Sequence, residues 1–234
     1  MKKTLASSAL LAALLSAGPV YAADLAADFS ASTSPQSSSS TWTYGYSSSA
    51  GAGYSMILFD NALGYGWNMS NYNTLGTPAV WKNTNPYSIA GVAPGQVSLH
   101  PGPVPYGDVT IVRFTASSAG SYSVAGRFFA GDSGDMSAAV ILNSDALHPL
   151  QSFASTNNSP ALSVFTQYLG AGQTLDFIVG NNGSFYSGNT PLELTVTAVP
   201  EPAGYVMMVA GGLLIGGIAR RRRQLSARDF QRFE

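Results

Sequence analysis

Seven aromatic residues, Tyr54, Tyr65, Trp67, Tyr72, Trp81, Tyr87 and Tyr106, crowd the stretch before Val109, interleaved with Asn61, Asn68, Asn71, Asn73, Asn83 and Asn85. Aromatic faces stack on the C–H surfaces of sugar rings, and an Asn side chain offers a hydroxyl both a donor and an acceptor. That combination suits a polysaccharide held on a sheet face or in a groove, with Tyr65, Trp67, Trp81 and Tyr87 as the expected contacts. The competing expectation is that Trp67 and Trp81 belong to the core, because large aromatic side chains are highly buried on average.

Other chemistry is thin. His100 and His148 are the only histidines, each precedes a proline, and neither stands at metal-ligand spacing. His100, in Leu99-His100-Pro101-Gly102, reads as a strand-end or turn residue. Serine is abundant, but no Gly-x-Ser-x-Gly elbow marks a nucleophile. Asp132, Asp135, Asn143 and Asp145 are hard oxygen donors of the kind that hold Ca²⁺, yet they lack the spaced loop of an EF-hand and read as hairpin-loop chemistry. With no cysteine, a disulfide framework, a thiolate zinc site and a thiol nucleophile are all excluded. The residues therefore point to no cofactor, no metal and no catalytic constellation, and the chain is expected not to be an enzyme. The rival enzymatic reading, an extracellular glycan hydrolase, needs two carboxylates at a defined separation; Asp60, Asp108 and Asp176 are its candidates, and their spacing selects no pair.

The 234 residues carry a formal net charge of −1, but the charges are segregated. Between Asp24 and Val199 three basic residues (Lys82, Arg113, Arg127) face nine acidic ones, whereas Lys2 and Lys3 open the chain and Arg220, Arg221, Arg222, Arg223, Arg228 and Arg232 close it. An acidic middle disfavours the phosphate backbone, so no nucleic-acid partner is expected.

Both ends address a membrane. Residues 1–22 read as a secretory signal peptide: Lys2 and Lys3 form the basic n-region, Leu5 to Leu15 the apolar stretch, and Val20-Tyr21-Ala22 places small residues for cleavage after Ala22. This directs the chain to the secretion translocon. At the other end, residues 203–219 form an uncharged run of seventeen, about 25 Å as a helix, at the short end of what crosses the hydrocarbon. Five of them are glycine, so the transmembrane helix is a weak one. The four arginines that follow hold that end in the cytoplasm, with 224–234 as a cytoplasmic tail.

The order of Pro200-Glu201-Pro202, a short apolar helix containing Gly212-Leu213, and Arg220-Arg221-Arg222-Arg223 resembles the PEP-CTERM sorting signal of Gram-negative, exopolysaccharide-producing bacteria. The likeness covers residues 199–223. It implies recognition by an exosortase, a membrane-embedded cysteine protease that cuts near the motif and delivers an inner-membrane-anchored precursor to the cell surface or extracellular matrix. The motif has a physical logic: each proline fixes φ and lacks an N–H, and Pro202 biases Glu201 away from helix, leaving an extended strip at the membrane boundary. The eleven residues after the arginines are a longer tail than that family usually carries.

Between the signals, β-branched and aromatic runs recur between turn residues. Val97–His100, Val109–Phe114, Tyr122–Phe129, Ala138–Leu142, Leu162–Phe165, Leu175–Val179 and Leu192–Val196 read as strands, with an earlier run at Ser55–Phe59. Eight or more such runs without a 3.6-residue apolar period predict an all-β, antiparallel β-sandwich over residues 51–198. Residues 23–50, rich in serine, are expected to be a flexible lead, with Trp42, Tyr44 and Tyr46 the alternation of an edge strand. Phe114-Thr-Ala116 with Gly120-Ser-Tyr122-Ser-Val124, and Ala171-Gly172-Gln-Thr-Leu175-Asp-Phe177, resemble strand–turn–strand units of extracellular jelly-roll modules. That resemblance implies a jelly-roll-like ectodomain similar to carbohydrate-binding and galactose-binding-like domains. The resulting expectation is an exported, non-enzymatic surface or matrix protein that associates with exopolysaccharide or biofilm. The remaining alternative is a purely structural matrix protein that self-associates through exposed strand edges.

Overall fold

The computed structural model describes residues 21–32, 35–38, 40–49, 51, 54–70, 76–104, 109–200 and 211. The expected signal peptide up to Val20, Glu201, Pro202, the apolar run 203–219 apart from Gly211, the four arginines and the tail lie outside the described residues. Among the described residues, no helix is long and apolar enough to cross a membrane.

Tyr21–Val199 forms one compact body. Its strands are β1 (Ala22–Asp24), β2 (Trp42–Ser47), β3 (Ile57–Leu58), β4 (Asn61–Ala62), β5 (Gly66–Asn68), β6 (Ala79–Lys82) and β7 (Val97–His100). They continue as β8 (Val109–Thr115), β9 (Gly120–Phe128), β10 (Ser137–Leu142), β11 (Gln151–Phe153), β12 (Phe165–Leu169), β13 (Thr174–Gly180) and β14 (Thr190–Val199). One helical turn, α1 (Leu25–Asp28), follows β1. The strands make two sheets. The larger runs β12-β9-β14-β7-β6-β5-β4, with β1 added beside β14, and the smaller runs β11-β10-β13-β8-β2-β3. Every pairing between these strands is antiparallel, as the sequence led us to expect of a sandwich.

Period-2 alternation sorts side chains between the faces. The inner faces of both sheets share one core, to which β8 and β13 send Val112, Phe114, Leu175, Phe177 and Val179, and β9 and β14 send Val124, Phe128, Leu192 and Val196. Full burial of each such side chain contributes about 1.5–3 kcal/mol. The smaller sheet is also covered on its outer face, where Val109, Ile111, Ile141 and Ile178 pack under Tyr54 in a second cluster. Burial on both faces explains why β8 and β13 read as continuous apolar runs rather than alternations.

The described residues of the stretch 23–50 differ from the flexible lead that its serines suggested. Asp24 caps α1, accepting from Ala27 N at 2.9 Å, and Asp28 returns a bond to Asp24 N at 3.0 Å. Leu25 and Ala31 are buried. Gln36 acts as a side-chain strand: it accepts from Tyr44 N at 2.8 Å and donates to the carbonyls of Tyr44 (2.7 Å) and Phe59 (3.0 Å). Trp42 and Tyr44 enter the main core, and β2 lies between β8 and β3 rather than at an edge. The serine average hides a few large apolar residues that carry enough buried area to order the segment. Ala22, the expected cleavage residue, opens β1 and pairs with Thr197.

Candidate functional site

Strands β5 and β6 position the aromatics that the sequence singled out, and their register decides which of them reach solvent. Gly66 pairs with Trp81 and Trp67 with Val80. Directly paired residues share a face, so Trp67, Val80 and Leu99 point into the core while Gly66, Trp81 and Ser98 point outward. Trp67 is accordingly 3% exposed and donates its indole N–H to Ser30 O at 2.8 Å. Of the two expectations for Trp67, the core holds. Trp81 is only half-buried and lies across Gly66; a methyl group at Gly66 would come within 2.7 Å of Trp81 Cβ. Its indole Nε1 donates to Asn189 Oδ1 at 2.9 Å, with Ser98 Oγ 3.5 Å from the same oxygen. Tyr65, which precedes β5, is 51% exposed.

One step along the same face, Asn61, Asn68, Ala79 and His100 stand side by side across β4, β5, β6 and β7. Asn61 Nδ2 donates to Asn68 Oδ1 at 2.7 Å. These rows floor an open pocket of about 720 Å³ walled by Tyr65, Trp81, Thr77, Asn85, His100 and Asn189. The lining contains no carboxylate. Its one lysine, Lys82, donates Nζ to the carbonyl of Ala26 in α1, 2.6 Å away. Thr77 Oγ1, in the wall, is buried with no hydrogen-bond partner among the described residues. A pocket without carboxylates, whose one cation is tied to a backbone carbonyl and whose walls carry an indole, a phenol, amides and hydroxyls, is equipped for a neutral polyhydroxylated ligand.

His100 is fixed as a neutral ring. Its Nδ1 lies 2.7 Å from Pro101 O, which can only accept, and its Nε2 accepts from Gly188 N at 3.2 Å. Burial, opposed by the Pro101 bond and the charge of Asp132, holds its pKa below the ordinary histidine value. The folded pKa lies beneath the unfolded one, so this contribution to stability is complete above about pH 6.5 and is lost as pH falls toward the folded value. Urea midpoints at pH 7.5 and pH 5.5 should therefore differ, by at most about 1.4 kcal/mol per pH unit crossed. His100→Gln should flatten that difference; an equal slope in the variant sinks the assignment.

The remaining expected contacts scatter. Tyr87 is 62% exposed in the loop after β6 and stays outside the pocket wall; its carbonyl accepts from Asn83 Nδ2 at 2.8 Å. Asn83 is a buried staple that also donates to Val92 O at 2.8 Å. Tyr54 packs on the outer face of the smaller sheet, and Tyr72, Tyr106, Asn71 and Asn73 lie outside the described residues. Asn189 and Thr77, which the sequence did not single out, complete the wall. Asn189 is 108 positions from Trp81 and sits in what reads as an ordinary Gly-Asn turn, so no local signal marks it.

The polar candidates elsewhere are occupied. Asp132 Oδ1 accepts from Ser133 N, Asp135 Oδ1 from Ser155 Oγ, Asn143 Oδ1 from Thr174 N and Asp145 from Leu147 N and His148. Among the described residues, no group of three or more metal-ligating side chains converges. Asp176 is fully buried against Arg113, Tyr54 and Ser144, Asp60 bonds Ser70 in an exposed turn, and Asp108 lies outside the described residues.

No protein-family description matches the chain, and no curated protein matches it. Among solved structures it is similar to the Podospora anserina GH26-CBM35 β-(1,4)-mannanase, at 18% identity over 49% of this chain with a TM-score of 0.31. The match covers 24% of the mannanase chain. It is also similar to a family 35 carbohydrate binding module from Clostridium thermocellum (15% identity, 43% of this chain, 75% of that one, TM-score 0.27). A third likeness is to pika GITRL (16%, 46% and 97%, TM-score 0.27). Carbohydrate-binding modules are thus among the structural neighbours, at a distance that bears on neither ligand nor activity. The class the structure defines is a two-sheet antiparallel β-sandwich with an open, aromatic-walled pocket, free of carboxylates, on the larger sheet.

Proposed function

We propose that this chain is an exported, non-enzymatic carbohydrate-binding protein of the cell surface or extracellular matrix, and that the pocket at Tyr65 and Trp81 holds the glycan. The observation that carries the reading is Trp81. A half-buried indole is pinned by Asn189 and seated on a glycine, with a phenol and amides beside it. A stacking platform of this kind is pre-organised, so little side-chain entropy is lost when a sugar ring docks. Export rests on the sequence: the signal peptide leads the chain through the translocon, residues 203–219 hold it briefly at the inner membrane, and an exosortase cuts near Pro200-Glu201-Pro202. The acidic body then works with the exopolysaccharide or biofilm layer of the producing cell.

Isothermal titration of the purified protein with that cell's exopolysaccharide should show binding heat together with a change in tryptophan fluorescence. Trp81→Ala should weaken binding by at least about tenfold, the loss typical of a central aromatic anchor. Protein collected outside the cell should show ends at Ala23 and near Pro200 by mass spectrometry. Absence of heat, or an unchanged affinity in Trp81→Ala, overturns the glycan site; an intact precursor mass overturns the sorting.

A further inference from the structure

His100 closes strand β7 in the wall of the glycan pocket and touches the segment that holds Trp81. Its Nδ1 lies 2.7 Å from Pro101 O, and that oxygen can only accept, so Nδ1 carries the ring proton. Nε2 is then the lone pair that the Gly188 N–H reaches at 3.2 Å. The next residue in the chain is Asn189, whose Oδ1 accepts the Trp81 indole N–H at 2.9 Å, with Ser98 Oγ 3.5 Å away. Imidazole and indole are thus joined through two hydrogen bonds made by adjacent residues.

A second proton on the ring has one place to go, Nε2. There it confronts the Gly188 N–H, donor against donor, and attraction turns to repulsion. The Pro101 bond meanwhile becomes charge-assisted and stronger, so the ring is held and the Gly188 segment is the part that yields. Gly188 is buried, and its N–H loses the partner it had. The charged groups around the ring are few. Asp132, on the loop between β9 and β10, donates its backbone N–H to Asn189 O at 3.2 Å, and its charge favours the imidazolium; burial opposes it and keeps the histidine pKa low. Asp135 on the same loop accepts from Ser155 Oγ, and Lys82, across the pocket, is spent on Ala26 O. Residues 101–104 and 181–189 bring no charged side chain. We propose that His100 is a pH-sensitive latch on the glycan pocket: the neutral ring holds Gly188 and Asn189, and with them Trp81, and protonation releases them, so the protein grips its polysaccharide at neutral pH and loosens it in mildly acidic surroundings. The inference rests on the glycan reading of this pocket. Because the neutral ring is the binding form, affinity is complete above about pH 6.5 and falls as pH drops through the folded value, by at most about tenfold per pH unit.

Calorimetric titration of the purified protein with the producing cell's exopolysaccharide, at pH 7.5 and at pH 4.5, should show affinity lower at least about threefold at the acid value. In His100→Gln the two affinities should be nearly equal, whatever their level, which corrects for carboxylates that titrate at the acid end. His148→Gln alters the exposed histidine, paired with Asp145 away from the pocket, and should keep the wild-type ratio. Asn189→Ala separates transmission from direct contact between ring and sugar: it should bind weakly at both pH values, with the ratio flattened, because the ring has lost its route to Trp81. A readout free of glycan is the NMR signal of the Trp81 indole N–H, identified by its loss in Trp81→Phe. It should shift with the same midpoint as the His100 ring and stay in place in His100→Gln. Absence of heat even at pH 7.5 sinks the glycan reading, and the indole signal then decides the latch alone. Equal wild-type affinities at the two pH values, a wild-type ratio in His100→Gln or Asn189→Ala, or an indole signal indifferent to the titration of His100 overturns the proposal.

Discussion

Arg113→Ala should lower the stability of the sandwich by about 3–5 kcal/mol, more than any surface substitution. Arg113 reaches across from β8 to Asp176 on β13, with Nε 2.6 Å from Oδ1 and Nη2 2.7 Å from Oδ2. Ser144 Oγ lies 2.8 Å from Nη2 and 3.2 Å from Oδ2, and Tyr54 donates its hydroxyl to the same oxygen. Asp176 is 0% exposed. Truncating the arginine leaves a carboxylate buried beside Ile111, Ile141 and Ile178 with no cation to balance it, and the loss of the charged partner outweighs the lost contacts.

For a body of this size each kcal/mol moves the midpoint by about 2–4 °C, so thermal melts should fall by roughly 10 °C. The pair as a whole is a weaker source of stability than this number suggests, because desolvation offsets much of its attraction. Hence the triple variant Arg113→Met, Asp176→Leu, Tyr54→Phe, which removes charge and hydroxyl together, should recover most of the loss. Urea unfolding of the single and triple variants decides it. A triple variant as unstable as Arg113→Ala would falsify the argument that an uncompensated charge is the cause.

How far the sequence reveals this molecule depends on what kind of signal each element carries. Strands β8, β9, β10, β13 and β14 are legible because they are long and rich in Val, Ile, Phe and Leu, and their pattern survives without knowledge of partners. Strands β4 and β5, Asn61–Ala62 and Gly66–Asn68, are not, since they are short and, Trp67 apart, built from residues with low strand preference. Tertiary pairing, of β5 with β6 and of β4 with β5, makes them strands. The same gap limits the site. Residue type alone singled out Tyr65, Trp67, Trp81 and Tyr87 together as expected contacts, but neighbours on a strand face opposite ways. Only the pairing of Gly66 with Trp81 shows which indole is outward. The serine-rich stretch misleads for a related reason: Gln36 and Leu25 order it through contacts with residues that no local window contains.

The last large effect concerns Gly91, whose replacement by alanine should cost about 3 kcal/mol or more and disable the glycan pocket as well. Ile89 and Val92 exchange two backbone bonds, of 3.0 and 2.9 Å, around Ala90 and Gly91, both at positive φ (47° and 74°) as a type I′ turn requires. Ala90 tolerates that conformation at some strain. Gly91 faces a further restriction, because a methyl group there would overlap the carbonyl of Gly131, which no side-chain adjustment can relieve. Gly131 in turn abuts the carbonyl of Asn189, and Asp132 N donates to that carbonyl at 3.2 Å. Backbone presses on backbone from the turn to the residue that anchors Trp81, so a displaced turn reaches the indole through two rigid contacts. Gly95→Ala is the control: Gly95 also has positive φ (80°) but nothing within 4 Å of its missing Cβ, and its replacement should cost only the roughly 1 kcal/mol of left-handed strain. Chemical denaturation and glycan titration of the two variants should therefore diverge, with Gly91→Ala losing both stability and affinity and Gly95→Ala keeping its affinity. Equal losses in the two would mean that conformational strain alone matters and that the contact with Gly131 positions nothing.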